Sequence, residues 1–231
     1  MSSSNSTAES FIRSGEDRNR NLLNTNLVLF LALFMIIFII PAISIQKELL
    51  TSLLLCILVI SGLFAADFSK SAFRILLSIG TLVILVTALN LFMPEVQSLN
   101  ILTFVLNTLF FIIVTIALIA HVASARQVYT STLLCAINSY LLIGLTLSIL
   151  FVIMDLFAPG SFSQITPDEG FSSFIYYGFV TLTTLGFGDI TPDTALARSL
   201  STFTALFGQL YLVIIMALII GKFLKGGNST K

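Results

Sequence analysis

The sequence predicts an all-α membrane protein of six transmembrane helices with one re-entrant loop, and three observations predict it. Of its 231 residues 57% are hydrophobic, only 10% are charged and there is no net charge, a composition far outside the soluble range. Six apolar runs approach the roughly twenty residues that a bilayer demands; they fall at 22–44, 48–66, 72–93, 99–122, 132–157 and 198–224, with short loops between them. Between the last two lies Phe174–Pro192, FIYYGFVTLTTLGFGDITP, too short and too rich in Thr and Gly to be a span itself.

Residues 1–21 are rich in Ser and Asn, carry Arg13, Arg18 and Arg20, and lack apolar periodicity, which predicts a disordered tail. The run from Leu22 to Ile43 is long for a signal peptide and no A-x-A-like site follows it, so it reads as an uncleaved anchor. Pro41, near the end of the first span, and Pro94, just past the third, stand where helices end without a large penalty.

Orientation follows from the Lys and Arg residues. With the N-terminus inside, nine lie on the cytoplasmic side (Arg13, Arg18, Arg20, Lys70, Arg74, Arg126, Lys222, Lys225 and Lys231) and two, Lys47 and Arg198, lie outside. Both termini are therefore expected in the cytoplasm and the loop outside. Cys56 and Cys135 sit in apolar runs, where a thiol behaves as a small hydrophobe. No disulfide or metal site is implied, and His121 has no partner cluster and reads as structural. Residues 22–122 read as a four-helix transmembrane domain and 132–224 as a second unit, with 225–231 a short cytoplasmic tail. The ten residues after Gly221, KFLKGGNSTK, are too few for a cytosolic ligand domain, so none is expected on the chain. Two readings of their charge stand, a contact with anionic lipid and topology alone.

The loop carries the chemistry. A helix of about a dozen residues, roughly 171–183, is expected to enter the membrane, and Thr184, Leu185, Gly186, Phe187 and Gly188 to return as extended backbone. Non-helical backbone at that depth is tolerated only where it is buried or lines a water-filled path. The two glycines permit the dihedrals that turn successive carbonyls to one side. A row of carbonyls on one axis can replace the water shell of a cation.

TLTTLGFGD, residues 181–189, resembles the signature of the potassium-channel pore-loop family, T-x-x-T-x-G-[YF]-G-D. The region from Tyr140 to Gly221 is similar to the pore module of bacterial potassium channels, here of six-span type without voltage-sensor arginines. The resemblance implies a selectivity filter in which K⁺ is held by the carbonyls of Thr184, Leu185, Gly186 and Phe187 and by the Thr184 hydroxyl. A filter needs about four such loops, and the chain has one, so a homotetramer in membrane lipid is expected. K⁺ is the permeant ion; no cofactor, nucleic-acid partner or covalent chemistry is expected. Leu185 and Phe187 depart from the more frequent Val or Ile and Tyr, which bears on discrimination against Na⁺.

Around the filter, Thr183 and Tyr177 are candidate supports, and Asp189 and Asp193 candidate acidic rings at the outer mouth. Tyr176 and Tyr177 match the family's paired aromatic cuff, with Tyr177 the better candidate to bond Asp189; interface anchoring is the other reading of both. Val180 stands where some members carry a carboxylate, so inactivation that depends on one is not expected. The short helix would aim its negative end at the cavity.

In the last span, Gly208 lies twenty residues after Gly188, the family's spacing for a hinge glycine, and close packing is the second reading. Gln209, Leu212, Met216 and Ile220 share a helical face that either lines the cavity as a gate or packs. Segment 99–122 has no Lys or Arg, so a strong voltage sensor is not expected, and the first four helices either pack peripherally or respond to lipid or another protein. These features point to a K⁺ channel of the plasma membrane. Three alternatives stand beside it: a K⁺/Na⁺ channel of weak selectivity, a K⁺-uptake transporter subunit, and a non-conducting regulatory membrane protein.

Overall fold

A computed structural model of the chain describes residues 19–42, 47–66, 68–125, 127–165 and 170–227. Of the disordered tail expected at 1–21, residues 1–18 lie outside the described residues, as do Arg126, Asp168, Glu169 and the end of the C-terminal tail, whereas residues 19–21 are helical and open the first helix, contrary to that expectation. The described residues are mostly helical, in α1 (Asn19–Ile39), α2 (Lys47–Phe64), α3 (Lys70–Phe92), α4 (Gln97–Ser124), α5 (Thr130–Phe157), α6 (Gly170–Leu182) and α7 (Ala195–Gly227), with two short strands, β1 (Phe162–Ser163) and β2 (Thr191–Pro192).

Five helices, α1, α3, α4, α5 and the stretch Ala195–Leu224 of α7, are long and apolar enough to cross a membrane. The expected second span is shorter. Lys47 and Glu48 open α2, so its apolar part is Leu49–Phe64. At 1.5 Å per residue that part reaches about 24 Å, against a hydrocarbon core of about 30 Å.

Local chemistry sets the helix ends. The last turn of α1 is a π-turn over Met35–Ile39, followed by a 3₁₀ turn over Ile40–Ala42. Pro41 has no N–H to give the carbonyl four residues back, so the α-helical ladder cannot continue through it. Ser69 caps α3, its hydroxyl accepting from the backbone N–H of Ala72, and Pro94 follows the end of that helix.

α5 is the central helix. Every residue from Leu142 to Ile149 is buried, because α4, α6 and α7 cover it from different sides. One apolar core runs from Leu29 of α1 through Phe110 and Leu118 of α4 and Leu145 of α5 to Ile215 of α7. Buried amides cross-link it. Asn26 Nδ2 donates to the Ala65 carbonyl (2.8 Å), and Asn138 Nδ2 donates to the Asn26 carbonyl (2.8 Å), tying α1, the α2–α3 corner and α5. Asn107 Nδ2 donates to Thr87 Oγ1 (3.2 Å), joining α4 to α3.

A second core holds the region after α5. Phe151, Phe162, Phe174 and Tyr177 meet edge to face, with ring centroids 4.9–5.6 Å apart. β1 pairs antiparallel with β2, Phe162 opposite Pro192 and Ser163 opposite Thr191, so the segments before α6 and after its loop are clasped together. Small residues let α6 sit close to its neighbours. A Cβ on Gly178 would lie 2.1 Å from Ser148 Oγ, and one on Gly144 would lie 2.5 Å from the Phe179 ring.

Candidate functional site

α6 begins at Gly170 and ends at Leu182, close to the expected 171–183, and residues 183–190 return from it without regular structure. The turn back is made by the helix's own last carbonyls. The N–H of Thr183 bonds the Phe179 carbonyl (3.0 Å), that of Thr184 bonds Thr181 (3.0 Å), and Val180 accepts from both Leu185 (3.0 Å) and Gly186 (3.4 Å). The N–H groups of residues 183–186 are thus spent on α6. Among the described residues no hydrogen bond reaches the carbonyls of 184–188.

The backbone alternates. Thr184, Gly186 and Gly188 have φ of 62°, 56° and 78°, whereas Leu185 and Phe187 have ordinary negative φ. A β-branched residue at positive φ is an outlier, and Thr184 is held there by its bond to Thr181. Alternating handedness undoes the usual alternation of a strand, in which successive carbonyls point to opposite sides. Leu185 (62% exposed) and Phe187 (66%) turn outward, so the single chain offers these apolar side chains no packing.

The flanks differ from the sequence expectation at the tyrosines. Tyr176, not Tyr177, donates its hydroxyl to Asp189 Oδ2, while Asp189 Oδ1 accepts from the Ile190 N–H (3.1 Å). The Tyr176 hydrogen bond, with the backbone bonds, holds the Asp189 carboxyl below the usual carboxylate range. Tyr177 is buried in the aromatic core, and its hydroxyl shares a hydrogen bond with Ser201 Oγ of α7 (2.6 Å). Adjacent helical residues point about 100° apart. Packing of Tyr177 on Phe151 and Phe162 therefore leaves Tyr176 to face the loop.

Thr183 is exposed and donates its hydroxyl to the Phe179 carbonyl (2.7 Å), and Val180 is buried behind the loop. Asp193 is exposed, its backbone N–H on the Ser161 carbonyl (2.9 Å). Arg198 Nε donates to the Pro192 carbonyl (3.1 Å) and braces the outer clasp.

α7 touches the rest of the chain along one stripe: Ala197, Thr204, Gly208, Tyr211 and Ile215 are buried. Tyr211 donates its hydroxyl to the Ala136 carbonyl of α5 (2.8 Å) and lies within hydrogen-bond distance of Ser139 Oγ. Of the two sequence readings of Gly208, the geometry displays close packing, since a Cβ there would lie 2.2 Å from the Leu182 carbonyl oxygen. Gln209, Leu212, Met216 and Ile220 are exposed on the side away from this stripe. Gln209 Nε2 also reaches Thr184 Oγ1 (3.3 Å), a contact that spacing along α7 does not reveal. At the far end, the Lys222 ammonium donates to the carbonyls of Val122 (2.5 Å) and Ala123 (2.8 Å) at the C-terminus of α4. A cation there complements the helix dipole; from sequence Lys222 had read only as an inside charge.

A helical membrane-embedded chain whose short helix ends in a loop of unbonded carbonyls has the build of an ion-channel pore. Residues 139–225 match a sequence-family model described as ion channel, which covers α6, the loop, about two thirds of α5 and nearly all of α7. Over this segment, well under half of the chain, the protein is similar to an ion-channel family. No curated protein and no solved structure matches the chain.

Proposed function

We propose that four copies of the chain form a K⁺-selective channel of the plasma membrane, with α6 as pore helix and residues 184–188 as filter. The observation that carries this reading is the alternating backbone of Thr184, Gly186 and Gly188, whose N–H groups are spent on α6 or unpaired while the carbonyls stay unbonded. Such carbonyls, brought together around an axis, replace the water shell of a cation. K⁺ then passes down its gradient, and no bond is made or broken. Asp189, kept ionised by Tyr176, gathers cations at the outer rim, with Asp193 beside it.

All six apolar helices span in this reading, α2 through local thinning of the bilayer, and both termini are cytoplasmic. α4 carries no Lys or Arg between Gln97 and Ser124, so opening depends only weakly on voltage. Leu212, Met216 and Ile220 line the inner cavity, where an apolar ring closes by dewetting.

Flux through purified protein in liposomes tests the proposal, with K⁺ or Na⁺ as the driving gradient. Flux that follows K⁺, ignores Na⁺ and vanishes in Gly186→Ala supports the filter, because an L side chain at φ 56° strains the one stretch whose backbone is the ligand, although the methyl itself meets open space. Equal flux of both ions would assign the chain to the weakly selective class, which Phe187, with no phenol to bond behind the filter, makes the competing reading.

A further inference from the structure

Gln209 reaches the loop from a helix that is otherwise built to lie beside it. Its Nε2 is 3.3 Å from Thr184 Oγ1, across 25 residues of sequence. Neighbouring contacts fix the register that allows this: Gly208 lies directly on the Leu182 carbonyl, and Tyr211 is anchored on Ala136. Thr184 is the innermost of the candidate ligands and the one that offers a side-chain oxygen.

A threonine hydroxyl has one proton and two lone pairs, and rotation about χ1 decides what it presents. An N–H donated to that oxygen occupies one lone pair and selects a rotamer, leaving the second lone pair for another partner. We propose that Gln209 is a positioning residue for the innermost ion site, its amide holding the Thr184 hydroxyl with a lone pair turned to the ion path. This rests on reading residues 184–188 as the filter. The amide itself acts through Thr184. Each of four subunits contributes one such bond, so loss of the donor loosens the whole ring of hydroxyls.

The test is Ba²⁺ block of the full chain in planar bilayers, since Ba²⁺ is close to K⁺ in size and doubly charged. With Gln209→Leu, block from the cytoplasmic side weakens about tenfold, the scale of one or more lost neutral hydrogen bonds, and block from the outside is unchanged. Gln209→Met, longer and equally unable to donate, behaves the same way. In a Thr184→Val chain, or Thr184→Cys should the first not conduct, Gln209→Leu produces no further shift, because the shared bond is already gone. Unchanged internal block in both Gln209 variants, or an equal shift with the Thr184 oxygen removed, overturns the proposal while native K⁺ conduction leaves the filter reading standing. A native chain that conducts no K⁺ sinks the filter reading and this proposal together.

Discussion

Asp189 sits on an exposed rim and still has two fixed partners, the Tyr176 hydroxyl and the Ile190 N–H. Both favour the carboxylate, and the tyrosine is the larger influence, so the group ionises at lower pH than an ordinary aspartate. The sign follows directly. A lowered pKa means that the bonded rim is intact above the ordinary carboxylate range and is lost only as pH falls through the depressed value. Tyr176→Phe returns Asp189 toward its ordinary range, and K⁺ flux through the variant is expected to fail at a less acidic external pH than in the native chain. A flux profile against external pH checks this, and coincident acid limbs would rule out a role for the tyrosine. The same residue marks a limit of sequence reading: two adjacent tyrosines are equivalent on paper, and the aromatic contacts of Tyr177 decide which of them faces the loop.

At the scale of elements, the contact of α7 with the end of α6 is a close junction beside the loop. Gly208 permits it, and the two readings of that glycine predict opposite outcomes for Gly208→Ala. If the residue serves only as a hinge, alanine favours the helix by about 1 kcal/mol and thermal stability in detergent rises. With the Cβ 2.2 Å from a backbone carbonyl, overpacking prevails, and a loss of about 1–3 kcal/mol per chain is expected, read as a lower Tm. α2 is the element whose apolar stretch is shorter than the expected span. Its hydrophobicity is high enough for a span, but the charged pair at its start shortens the apolar stretch. α4 and α7 also meet through Lys222, which bonds two C-terminal carbonyls of α4 and thereby links the first four helices to the inner end of α7.

For the whole molecule, large apolar side chains are exposed on α1 to α5 as well as on α7. Leu206, Phe207, Leu210, Val213, Ile214 and Met216 of α7 are exposed, together with Leu185 and Phe187 of the loop. Lipid can cover a helix, but a loop with unbonded carbonyls needs polar company. In the proposed tetramer, other copies of the same loop around an axis provide it through the ions between them. A particle of four times the 25.2 kDa chain is therefore expected by mass measurement in mild detergent, and a monomer that still conducts would remove the reason for the assembly.

The sequence by itself pointed to the helical membrane class, to the five helices long and apolar enough to span, to the short helix and to unusual dihedrals at Gly186 and Gly188, while the positive φ of Thr184 was not legible in it. Each of these rests on information local in the chain: the length of an apolar run, a proline at a helix end, glycines where φ must be positive. Tertiary structure alone decided which tyrosine holds Asp189, that Gly208 is a contact, that Gln209 reaches Thr184 and that Lys222 caps α4. Those pairs lie 13 to 100 residues apart. Their partners are chosen by how helices rotate and slide when buried surfaces fit, which no periodicity within one helix records.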